Sequence, residues 1–214
     1  GYNNVYSTYV RSNAIYEKED DVRYVSKSRL NKMLRKEYSL LEERLNKDNY
    51  KDTRYFAFAD TVATINYSKT TNGHGWMGLR FQLTPNGKPN DFIIHVLLKD
   101  NDAKLQQETI GIIGTNMMYA CFNESDPKEI LKQLYDNLSK DQVVIDLVEI
   151  SGPDFDNIDN RLLSLTLVKE NMTDAVIFTP DGMNQQPSDI LHKKNIITIR
   201  GSFRPVTKVN IDML

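Results

Sequence analysis

Residues 92–98 read FIIHVLL, an apolar run of strand length interrupted by a single histidine. A strand with one wet face alternates apolar and polar side chains, so an unbroken run has to be covered on both faces. No other feature constrains the fold as much. The strand needs neighbours on both sides and a layer of structure above and below it. QVVIDLVEI at 142–150 carries the same message. A chain of 214 residues is long enough to build that layered core in one large domain.

The elements around these runs can be read from their periods. Leu30, Leu34, Tyr38, Leu41 and Leu45 recur at helical spacing over residues 26–46, with charged residues on the other faces. The segment RYFAFADTVATINY (54–67) is rich in aromatic and β-branched residues, and GWMGLRFQL (75–83) follows after a Thr/Asn/Gly loop, so the two predict an antiparallel hairpin. Residues 5–25 read as an irregular strand or hairpin with an acidic tip. Beyond FIIHVLL, the spacing predicts helices over 101–122, 127–139, 157–171 and 187–194, and strands over 142–150, 174–179 and 195–200. Alternating helices and strands argue for an α/β fold, with α+β as the alternative. The expected architecture is an N-terminal helix and hairpin region (1–90) packed on a mainly parallel sheet with flanking helices (91–214), the two forming one unit.

Composition limits the function. Hydrophobic residues make up 40% of the chain and charged residues 26%, which excludes disorder of the whole. Lys and Arg number 27 against 29 Asp and Glu, so the net charge of −2 argues against a nucleic-acid partner, and any anion site must be local. Cys121 alone forms no internal disulfide, and no Cys/His cluster has zinc spacing. A reducing compartment, the cytoplasm, is the expected location. No apolar run has the length of a membrane span, and GYNNVYSTYVRSN lacks signal-peptide character, so no membrane partner is expected. The ends at Gly1 and NIDML read as cuts in a longer chain, with a missing C-terminal domain or a homo-oligomer as partner.

In a parallel sheet, ligands sit beyond the carboxyl ends of the strands, so polar residues in those loops are the first candidates. SGPDFDNIDNR holds Asp154, Asp156 and Asp159, carboxylates that either bind a hard cation such as Mg²⁺ or form turns and a helix N-cap. TPDGMNQQPSD offers Gln185 and Gln186 to a ligand, or is only a connection. IRGSFRPVTK places Arg200, Arg204 and Lys208 around a glycine and a serine; guanidinium forks there suit a phosphate or carboxylate, and an exposed basic turn is the alternative. In NGHGWMGLRFQ, His74 is either a proton donor or acceptor at the rim of a pocket lined by Arg80 and Gln82, or part of a solvated hairpin turn. His95 reads as a satisfied core histidine, and His192 ends a helix. Phosphate-loop, nucleophile-elbow and zinc-protease signatures are missing.

Several stretches together, VYSTYVRSN, YVSKSRLNKMLRKEY, FAFADTVA, GHGWMGLRFQ, LQQETIGIIGTNMMYACF, DNRLLSLTLV and QPSDILHKKNIITIRGSFRPVT, resemble a bacterial family of uncharacterised proteins. Its longer members carry the label of nicotinate-nucleotide adenylyltransferase. The resemblance implies that this chain is the N-terminal part of something longer, and it points toward nucleotides. Adenylyltransferases of that kind carry an HxGH motif at a helix start, where this chain has GHGW. The sequence thus supports a domain that binds an anionic, nucleotide-like small molecule, in a nucleotidyl- or other group transfer. Arg80, Arg200 and Arg204 would hold the anion, His74 would be general acid or base, and Gln82, Gln185 and Asp154 would orient the ligand. The alternative is a non-catalytic interaction or assembly module presenting helix 26–46.

Overall fold

A computed structural model describes residues 24–45, 52–191, 194–201 and 207–212. Helix α1 (Lys27–Arg44) precedes strands β1 (Phe56–Ala63), β2 (Gly73–Phe81) and β3 (Asn90–Leu98). Helices α2 (Ala103–Asn123) and α3 (Pro127–Gln133) lead into β4 (Val143–Ser151), and a 3₁₀ turn (Pro153–Phe155) leads into α4 (Asn160–Lys169). A two-residue-strand hairpin of β5 (Ile177–Phe178) and β6 (Asn184–Gln185) follows, then short helices α5 (Pro187–Leu191) and α6 (Lys208–Asp212). The strand expected within 5–25 lies outside the described residues, apart from Tyr24 and Val25.

The chain is mixed α and β, but the sheet is not the parallel one expected. Strands β1–β2–β3–β4 lie in sequence order, and every pairing among the described residues is antiparallel. The reason is the connection between β3 and β4. One crossover helix returns the chain to the end where the first strand began, making the next strand parallel. Here two helices, α2 and α3, lie between β3 and β4 and pack on each other, so the chain enters β4 from the opposite end. The expected strand at 174–179 shrinks to β5, which pairs only with β6, and residues 195–200 form no strand.

FIIHVLL is covered on both faces, as its composition demands. Phe92, Ile94, Val96 and Leu98 of β3 join Met77, Leu79, Ile113, Met117 and Leu167 in the main core, under α2, α3 and α4. On the other face, Leu30 and Leu34 of α1 pack against Ala59, Trp76, Ile93 and Leu147. The helix comes close because residue 78 is glycine: a Cβ there would sit 2.8 Å from Leu34 Cδ1. Ser26 caps α1, its side chain accepting from Arg29 N–H.

The outer edge of β4 is closed by side chains. Asn160, at the start of α4, accepts from Ile150 N–H at 2.8 Å and donates to Ile150 C=O at 2.9 Å. Ser164 and Asn184 both donate to Val148 C=O. This edge, which would otherwise offer unpaired backbone groups to another chain, is therefore occupied.

Candidate functional site

Helix α1 covers only part of its sheet face. Register places Thr61, Trp76, His95 and Leu147 in one row across the four strands, and Ala63, His74 and Leu97 in the next. Beside these rows opens a cleft of roughly 1220 Å³. Its floor is His74, Trp76, Leu147 and Glu149, and its walls are the first residues of α1, the first residues of α4 and the β5–β6 hairpin.

Beneath the floor lies a chain of buried polar groups. His95 is fully buried, Asp146 is 5% exposed and Gln186 is 6% exposed. Asp146 Oδ1 is 2.6 Å from His95 Nδ1. Gln186 Nε2 is 2.9 Å from His95 Nε2, and His74 Nδ1 is 3.3 Å from the same nitrogen. The ring of Trp76 lies against His95 with centroids 4.9 Å apart. Asp146 reaches His95 because β4 slips register there: His95 pairs with Leu147 and Val96 with Ile145, which leaves Asp146 as the extra residue. A bulge of this kind re-aims a side chain that strict alternation would send to the other face.

Four charged groups of the lining form two pairs. Lys27 donates to Glu149. Arg161 pairs with Asp159 at 2.7 Å, and hydrogen bonds from its side chain and backbone hold the Asp159 carboxyl down at about 2. Asp189 also lines the cleft, which therefore carries two cationic and three acidic side chains. An anion there would meet the backbone N–H groups at the start of α1 beside Lys27.

The structure distributes the expected site residues unevenly. His74 stands within β2, half-buried, and lines the cleft together with Gln185 of β6. Arg80 is on the same strand face as His74 but six residues along, about 20 Å at ordinary strand rise. It pairs with Asp91 at 2.9 Å and lies over the Tyr38 ring at 5.5 Å. Gln82 is buried, accepting from Tyr55 N–H and donating to Gly87 C=O, so it ties two chain segments together. Asp154 accepts from the Asn90 amide at 2.7 Å in the turn after β4. Arg200 is exposed and does not line the cleft, while Arg204 and His192 lie outside the described residues. Asp159 is the N-cap of α4, and among the described residues no group of three His, Cys, Asp or Glu side chains could hold a metal ion.

The residues the sequence reading did not single out as a site are His95 and Asp146. Their signal was present: each is a lone polar residue in an otherwise apolar strand, FIIHVLL and VVIDLVEI. Two such residues on adjacent strands satisfy each other when register allows. Among the described residues, no helix is long and apolar enough to cross a membrane. Comparisons with protein-family models, curated proteins and solved structures found no match.

Proposed function

We propose that the cleft binds a small, anionic, nucleotide-like molecule and that His74 acts on it as general acid or base in a group transfer. One observation carries this reading. A titratable ring on the cleft floor is hydrogen-bonded from behind to a buried His–Asp pair, an arrangement that orients a proton-transferring group. Trp76 contributes an apolar patch to the floor and Gln185 an amide for the ligand. The start of α1 and Lys27 take the anion-binding part expected of Arg80, Arg200 and Arg204. The resemblance to a family labelled adenylyltransferase points the same way.

The test is a thermal-shift screen against AMP, ATP, dinucleotides and sugar phosphates, with and without Mg²⁺. A ligand that binds only the native state stabilises it by mass action, by about 2.7 kcal/mol at 100 times Kd, and so raises the melting temperature. The expected result is a selective rise that His74→Gln and Lys27→Ala both weaken. A flat screen would end this reading.

A second reading, an interaction module, is favoured by the exposed apolar residues near the end of the chain. Ile197 is 82% exposed and Val209 67% exposed. Light scattering across a concentration series tests it, with self-association lost in Ile197→Asp as the expected result and a monomer throughout as the result against it.

A further inference from the structure

We infer that the buried His95–Asp146 pair, with the Gln186 amide, sets the tautomer of His74 and so leaves Nε2 as its proton-exchanging nitrogen. The inference rests on the reading of His74 as the acid–base group of the cleft. It makes His95, Asp146 and Gln186 positioning residues, since each acts through His74.

Hydrogen-bond accounting fixes the resting state. Asp146 Oδ1 can only accept at 2.6 Å, so His95 carries its proton on Nδ1. The Gln186 amide nitrogen can only donate at 2.9 Å, so His95 Nε2 holds a lone pair. His74 Nδ1 lies 3.3 Å from that lone pair. A bare Nδ1 would set lone pair against lone pair, so His74 is held as its Nδ1–H tautomer and Nε2 becomes its basic nitrogen.

Among the described residues, the charges on the cleft are Lys27 of α1 with Glu149 of β4, Arg161 with Asp159 at the start of α4, and Asp189 of α5. With Nδ1 engaged by the buried pair, Nε2 is the nitrogen through which His74 exchanges a proton with a ligand.

The experiment is a ¹⁵N NMR titration of the ring nitrogens in the full chain. With 3 histidines in the sequence, assignment needs only His74→Gln and His192→Gln. The expected wild-type result is an Nδ1–H tautomer for both His74 and His95 at high pH. In Asp146→Asn the amide can donate to His95 Nδ1, so His95 can carry its proton on Nε2 and the share of His74 in the Nε2–H tautomer should rise. An unchanged His74 tautomer in that variant would overturn the inference, and so would an Nε2–H tautomer for wild-type His74, even if the variant fails to fold. No ligand is needed, so this result and the ligand screen stand or fall separately.

Discussion

Asp60 stands in the middle of β1, half-buried, on the face it shares with Phe58 and Val62. Burial raises its carboxyl above the ordinary value, and no cation is among the causes. A carboxyl whose folded pKa is raised binds its proton more tightly in the native state. Its contribution therefore favours folding at low pH and is lost as pH rises through the folded pKa. At pH 7 the native state carries a charge that burial penalises, so Asp60→Asn should be more stable than wild type there. The gain is on the order of 1 kcal/mol, or about 2–4 °C in Tm for a chain of this size, and should vanish near pH 3. Melting curves of both proteins at the two pH values check it, and a variant that is less stable at pH 7 would show a missed partner. Asp91 provides the contrast: burial raises its carboxyl too, but Arg80 pulls against the shift. The same substitution there removes an ion pair and should not stabilise.

Asn160 does at the element level what a fifth strand would do. Its side chain repeats the backbone pattern of a β partner, accepting from and donating to Ile150, and so closes the edge of β4 while starting α4. Asn160→Ala should cost about 1–3 kcal/mol in urea unfolding, because two half-buried backbone groups lose their partners together. An unchanged midpoint would mean that water replaces the side chain at no cost. The turn beyond is just as specific. Gly152 has φ of +123°, and a Cβ there would lie 2.7 Å from Asn90 Cα. Such features explain what the sequence made legible. Helix α1, the β1–β2 hairpin, β3, α2 and β4 fall close to their expected spans, because amphipathic period and apolar runs are local signals. Strand direction is not local. It depended on α3, a short helix whose presence between β3 and β4 changes the parity of the connection. The candidate site was half legible for the same reason. His74 and Gln185 stood out as polar residues in turn-rich stretches, but only a bulge in β4 brings Asp146 to His95, and a bulge leaves no mark in VVIDLVEI.

At the scale of the whole chain, the sequence divides near residue 90 into a helix–hairpin region and an α/β region expected to pack as one unit. The sheet runs straight across it: β2 and β3 pair from Gly73↔Leu98 to Phe81↔Asn90. The main core likewise draws Met77, Leu79 and Phe81 from one side and Phe92, Ile113 and Leu167 from the other. Each half would expose a sheet edge and one side of a core, so neither half should fold alone. The protein offers a direct probe of this coupling. Trp76 is its sole tryptophan, 5% exposed, and belongs to the small cluster under α1 and not to the main core. Its fluorescence reports on the α1 face of the sheet, while far-ultraviolet circular dichroism is weighted toward α2 and the other helices of the opposite face. If the sheet couples its two faces, the two signals should give one midpoint in urea, with equal m-values. A fluorescence transition that came first would mean that α1 and the cleft floor melt before the core. The cleft would then be a low-stability region whose ligand affinity includes the free energy of ordering it. Coincident transitions instead place His74, His95 and Asp146 on a scaffold as stable as the core itself, the condition under which a hydrogen-bonded chain can hold its geometry before any ligand arrives.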